Sequence, residues 1–280
     1  AGLTPSAAEQ ALDALVDRAK TLLAEAAAGG ADFDQEKFRK QMQDLANDYD
    51  DYLKRNPDYA PAYAAYGVML EKISMRREGV RILLKGNELF EKEAQDPAVR
   101  TPAFLHAWAL VKNELGNYVA EEGTPLEAVN YYLSAIDLVP DEPLYHYQLG
   151  KLLTDARDDF IQSGQWTRAA LDKAMHEAFR RAAELAPARI EFTYRYAESF
   201  YDLREPDWDG ALEAWAALER QATTEVDRQI MRLQTANVLI KDGKSDKARA
   251  VLATVTKPEL DKQKRKLADL LAAAPTGGVR

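Results

Sequence analysis

Apolar residues return along this chain at intervals of three and four, and runs of alternating β-branched residues are missing, so the pattern predicts helices throughout. Ser6 and Glu9 stand at capping-box spacing ahead of Leu12, Leu15, Val16, Ala19, Leu22 and Leu23, an amphipathic stripe that Gly29-Gly30 stops. In Thr101-Pro102 and Thr124-Pro125 a hydroxyl at the N-cap precedes a ring-locked φ at the first helical position, so both pairs predict helix starts. Asn56-Pro57, Asp96-Pro97, Val139-Pro140 and Ala186-Pro187 predict helix ends, because the residue before a proline is pushed out of the α region.

The predicted helices repeat. Leu115-Gly116 and Leu149-Gly150 stand 34 residues apart, and Tyr49, Tyr132 and Phe179 each precede a closing proline by 8 residues. A small residue one turn before a large one recurs in Ala128-x3-Tyr132, Ala211-x3-Trp215 and Ala248-x3-Leu252. The small residue lets a neighbouring helix approach, and the large one fills the space between successive hairpins.

In these positions the chain resembles the tetratricopeptide-repeat (TPR) family, whose pattern runs W-x2-L-G-x2-Y, A-x3-F and P over two antiparallel helices. Leu115-Gly116-x2-Val119, Gly123, Ala128-x3-Tyr132, Ala135 and Pro140 follow it best, with Lys112 where the family prefers Trp; Leu149-Gly150-x2-Leu153, Met175-x3-Phe179, Ala182 and Pro187 form the next copy. Weaker copies are Tyr63-x2-Tyr66-Gly67-x2-Leu70, Tyr196-Ala197-x2-Phe200 and Ala236-x2-Leu239. The resemblance implies an all-α fold, a right-handed α-solenoid or superhelix of stacked antiparallel helix pairs. The expected organisation is an N-terminal helix in 1–30 and a repeat domain in 34–256, with about five units bounded near 57, 97, 140, 187 and 223. A capping helix at 257–274 and a flexible tail at 275–280 are expected to follow. Prolines 57, 97, 140 and 187 are 40, 43 and 47 residues apart, longer than the family's repeat of roughly 34. The extra length is expected to project from Ile73–Leu84 and Asp155–Leu171, between the two helices of a unit.

Composition narrows the function. With 46 Asp+Glu against 37 Lys+Arg, a net charge of −9 and no cysteine, the chain reads as acidic and soluble, unsuited to nucleic acid and without disulfide or thiol chemistry. No apolar run approaches the roughly 18 residues of a membrane span. Cytoplasmic and exported placements stay open. The charge is polarised: residues 241–280 carry 10 Lys+Arg and 5 Asp+Glu, for +5, while residues 1–240 sum to −14. Lys262, Lys264, Arg265 and Lys266 accompany Leu260, Leu267, Leu270 and Leu271, the pattern of a cap with a solvated basic face or of a dock for an acidic partner or an anionic surface.

Catalytic chemistry finds little support. His176-Glu177 opens like a zinc-protease motif, but Arg180 occupies the position four residues on; His106 and His146 read as packing or surface histidines. Asp155, Asp158 and Asp159, like Asp48, Asp50 and Asp51, lack the ligand order of a calcium loop. No cofactor and no metal are expected.

A non-catalytic scaffold is therefore the leading reading, binding a peptide or helix of another protein in the concave groove that the TPR resemblance implies. If Gly116, Gly150, Ala197 and Ala236 face their partner helices, family geometry turns the positions three before and one after towards the groove. These are Asn113 and Asn117, Tyr147 and Lys151, Tyr194 and Glu198, and Leu233 and Asn237, with Tyr201 one turn on. Tyrosines would supply rigid apolar area plus a hydroxyl, and asparagines would bond an extended backbone. The alternatives are tyrosines that merely pack between repeats, a homo-oligomer built from the ends of the stack, and a closed small-ligand or hydrolytic site.

Overall fold

The computed structural model describes residues 6–30 and 33–273, so the expected tail at 275–280 lies outside the described residues. All regular structure among them is helical, and the chain divides into two compact units, residues 1–140 and 141–280.

In the first unit, α1 (Ala7–Ala28) starts at a complete capping box, in which Ser6 Oγ accepts from Glu9 N at 3.2 Å while the Glu9 carboxylate accepts from Ser6 N. Helices α2 (Gln35–Arg55), α3 (Ala60–Lys72), α4 (Arg76–Glu93), α5 (Pro102–Glu121) and α6 (Pro125–Leu138) follow. The antiparallel pairs are α3 with α4 and α5 with α6, while α1 packs on α2 and α3. Thr101 caps α5 through its hydroxyl, which accepts from Phe104 N. Thr124 departs from the expected side-chain cap. Its hydroxyl instead donates to Val119 O at 3.0 Å, closing the turn that Gly123 makes at φ +83°, a conformation open to glycine at little cost.

Small residues set how closely the paired helices approach. A Cβ built on Gly116 would lie 2.8 Å from Tyr132 Cε1, and one on Gly67 would lie 2.5 Å from Leu83 Cγ. Gly116→Ala must therefore push α5 from α6 or turn the Tyr132 ring. It is expected to cost about 1–3 kcal/mol, read as a lower urea midpoint; an unchanged midpoint would show that the two helices part freely.

The position of Lys112, where the family carries Trp, is filled differently. Trp108, one turn earlier, stacks on Phe90 and donates Nε1–H to Asn87 Oδ1 at 3.0 Å. The Lys112 stem is buried, its ammonium pairs with Glu91 at 2.9 Å, and it lies 5.6 Å and 5.8 Å from the Trp108 and Tyr131 ring centroids. A lysine thus does the space-filling of an aromatic side chain while keeping its charge satisfied.

The second unit contains α7 (Pro143–Asp155), α8 (Arg157–Gln162), α9 (Arg168–Leu185), α10 (Ile190–Ser199), α11 (Trp208–Gln221), α12 (Glu225–Lys241), α13 (Ser245–Ala253) and α14 (Asp261–Ala273). The pairs here are α7 with α9, α10 with α11 and α12 with α13; α14 closes on α12 and α13 through Leu260 and Leu271. Gly150 repeats the arrangement of Gly116, its Cβ position lying 2.8 Å from Phe179 Cε1.

Neither long unit carries a freely projecting insertion. Between α3 and α4 only residues 73–75 are non-helical, with Ser74 at φ +64°, and the added length lies in the 18-residue α4 and the 3-10 turn at Pro97–Val99. Within 155–171 the chain forms α8, and fully buried Phe160 meets Trp166 edge to face at 5.8 Å. Burying Phe160 holds that segment down where a polar insertion would have stood away.

Candidate partner-binding face

The premise for the expected face holds at the glycines. Gly116 and Gly150 lie against Tyr132 and Phe179 of their partner helices, and Ala197 and Ala236 are fully buried. The side chains three before and one after them divide into three groups.

In the first unit, Asn113 is fully buried, its Nδ2 donating to Glu114 Oε1 at 3.1 Å and its Oδ1 without a partner. Asn117 accepts from the Tyr132 hydroxyl at 2.8 Å and donates to the other Glu114 oxygen at 3.4 Å. These amides are therefore tied into one network around Glu114. Nearby, burial pushes the Glu71 carboxyl above the usual range, helped by Glu114 and Glu121 and opposed by Arg76.

In the second unit, Tyr147, Tyr194, Tyr201 and Glu198 are partly buried over packed bodies. The Tyr147 ring lies 4.8 Å from Phe192 and 5.9 Å from Phe179, and burial, with Glu191 adding to it, pushes its hydroxyl up. Tyr194 meets Trp215 edge to face at 5.0 Å, and burial pushes its hydroxyl up as well. Tyr201, in the 3-10 turn Phe200–Asp202, donates to Gln234 O at 3.2 Å, and Lys241 lies 5.8 Å from its ring centroid; burial pushes its hydroxyl up to about 12. Glu198 is half-buried, which pushes its carboxyl up; Arg195 opposes the shift and Asp202 adds to it.

The remaining positions lie at the two extremes. Lys151 is exposed and pairs with Asp155 one turn on. Leu233 is buried in the cluster with Leu239 and Leu252. Packing therefore claims part of every tyrosine on this face, and it claims Leu233 and Asn113 entirely.

Arg195 was not singled out by sequence, yet it joins this face together. Its guanidinium lies 4.4 Å from the Phe179 ring centroid and reaches Asp202 at 2.8 Å and Thr154 at 3.2 Å. The signal was present: Glu191, Arg195, Glu198 and Asp202 recur at four- and three-residue steps, one stripe along α10 and its 3-10 extension.

Elsewhere, His176 Nδ1 lies 2.8 Å from Ser199 Oγ, the spacing of a base and nucleophile. Ser199 is fully buried and its hydroxyl donates to Tyr196 O at 2.6 Å, while burial beside Phe200 lowers the His176 pKa. No substrate atom can reach that hydroxyl, so the pair serves packing. His106 is exposed, with Nδ1 2.7 Å from Pro102 O. Asp48, Asp51 and Asp155 pair with Arg18, Lys54 and Lys151, and no group of three or more His, Asp or Glu among the described residues is placed to hold a metal ion. No described helix is long and apolar enough to cross a membrane.

The chain matches no protein-family model and no curated protein by sequence. Among solved structures it is similar to YrrB, described as a TPR protein with an unusual peptide-binding site, at 16% identity and TM-score 0.56, covering 82% of this chain and 98% of that one. It is similar to PilF of Pseudomonas aeruginosa at 16% identity and TM-score 0.52, covering 94% and 99%. A structure of Naa15/Naa10 bound to HypK matches at 14% identity and TM-score 0.54, over 92% of this chain but 34% of that one. These likenesses show the fold: an all-α, TPR-type α-solenoid fold of antiparallel helix pairs, in a chain that resembles TPR proteins.

Proposed function

We propose that the chain is a non-catalytic scaffold whose second unit binds a peptide or helix of another protein across α7, α10 and α12. The observation that carries this reading is the group of partly exposed side chains Tyr147, Tyr194, Tyr201, Glu198 and Asn237, set over rings fixed by Phe192 and Trp215. A rigid aromatic floor loses little entropy on binding, and the amide and carboxylate can bond the backbone of an extended partner. Lys151 adds a cation at the edge. The described peptide-binding site of YrrB and the HypK-bound state of Naa15/Naa10 support this use of the fold.

Alanine at Tyr147 or Tyr194 would open space beside Phe192 or Trp215, mixing stability with binding, so exposed or polar positions make the better test. The double variant Lys151→Glu, Asn237→Ala is expected to lower partner capture from native cell extract by about tenfold or more, equivalent to ~1.4 kcal/mol. Its thermal midpoint should stay near that of the parent. Lys173→Glu, on the exposed side of α9, should capture as the parent does. Full capture by the double variant together with loss in Lys173→Glu would place binding on the second helices and end this reading.

A further inference from the structure

We infer that the exposed face of α14 is a separate docking surface for an acidic helical segment of a partner protein. Lys262, Arg265 and Lys266 lie on this face at i, i+3 and i+4; Asp269 and Leu270 both follow about one turn beyond Lys266, and all five are exposed. None of the three cations has an ion pair or hydrogen bond among the described residues. In the same unit Arg180, Arg228, Arg232 and Arg249 are ion-paired, while Lys173, Arg220 and Lys247 have no ion pair among the described residues but stand singly; Lys262, Arg265 and Lys266 stand together on one face.

The placement costs the helix something. Lys262, in the first turn, opposes the helix dipole and repels Arg265 and Lys266 at i+3 and i+4; Asp261 and Asp269, four residues either side of Arg265, offset part of that cost. The neighbouring Lys264 is used by the fold, donating to Val255 O at 2.6 Å, and Leu260 and Leu271 bury the opposite side. The three outward cations receive no such return among the described residues. Leu270, 47% exposed, provides one apolar contact beside them.

The complementary surface has carboxylates at three- and four-residue spacing and an aliphatic residue placed to meet Leu270, while avoiding Asp269. An amphipathic acidic helix carries that pattern. An anionic membrane fits less well, because the larger leucines of α14 are turned inward and only Leu270 and small Ala273 remain to insert.

The test is fluorescence anisotropy of the full chain with a labelled helical peptide carrying glutamates at three- and four-residue spacing and a leucine two turns on. A scrambled peptide of the same composition is the comparison. The patterned peptide is expected to bind at least about tenfold more tightly than the scramble and to weaken as salt rises. The triple variant Lys262→Glu, Arg265→Glu, Lys266→Glu should weaken it by tenfold or more, and Leu270→Ala by a smaller factor. Folding of the triple variant is not at risk from the dipole, which acidic residues complement at this end, and circular dichroism checks it. Equal binding of scramble and patterned peptide would overturn the inference. So would parental affinity in the triple variant, or displacement of the peptide by phosphatidylserine vesicles or a single-stranded oligonucleotide. The proposed α7, α10 and α12 face is untouched by these changes, so the two readings stand or fall separately.

Discussion

Phe179→Ala is expected to destabilise the second unit by about 3–5 kcal/mol, the cost of emptying a large, fully buried aromatic site. Three helices meet on this ring. Gly150 of α7 approaches it so closely that a Cβ there would lie 2.8 Å away, Tyr147 packs edge-on at 5.9 Å, and Arg195 of α10 lies 4.4 Å from its centroid. Because Gly150 has no side chain, the backbone of α7 there cannot fill the vacated space without moving, and only the Tyr147 ring on that helix borders it. In a stack whose modules are stabilised by nearest-neighbour contacts, such a loss spreads to adjoining pairs. Urea unfolding should show the lower midpoint, and hydrogen exchange should show α7, α9 and α10 losing protection together. A cost under about 1 kcal/mol would mean that these helices are held chiefly by other contacts.

The parts of this fold that were legible in sequence are those set by local chemistry. Ser6 with Glu9, Thr101 with Pro102 and the prolines at 57, 140 and 187 act within one turn of chain, so their types suffice to place helix ends. The Gly116–Tyr132 and Gly150–Phe179 contacts were legible because the spacing of small and large residues repeats. Thr124 was misread because its hydroxyl had two acceptable uses, and the carbonyl of Val119 became available only once Gly123 turned the chain. Asn113 and Leu233 were placed by register alone, which fixes direction on a helix but not what lies opposite; the structure buries both. The tyrosines of the second unit show the same limit in milder form, since family geometry nominates the face and Trp215 and Phe192 decide how much of each ring remains free. Arg195 shares a stripe with Asp202, but its role rests on Phe179 and Thr154, which come from two distant stretches of chain that sequence does not bring to it.

Asp172→Ala is expected to cost about 2–4 kcal/mol, and the network around it gives the reason. This carboxylate is 5% exposed and accepts from Arg168 Nε at 2.7 Å and from the backbone N–H of Arg204 at 3.0 Å. Arg168 also donates to Asp202 O at 3.0 Å, and Asp202 in turn holds Arg195. Removing the carboxylate leaves a backbone donor without its acceptor and a guanidinium without its counter-charge. A fully buried pair would cost ~3–5 kcal/mol to break, but Arg168 keeps 37% of its side chain in solvent, which lowers the figure. Asp172→Asn retains one acceptor oxygen and should cost about half as much, because one charged hydrogen bond is worth roughly 1.5–3 kcal/mol. Urea unfolding of the two variants and of Arg168→Ala, combined as a double-mutant cycle, measures the coupling. A coupling near zero would show that water replaces the ion pair without loss. The same network fixes the 3-10 turn that carries Tyr201, since Arg168 holds the carbonyl at its last residue. Asp172→Ala should therefore weaken partner capture on the proposed face even at temperatures where the chain remains folded.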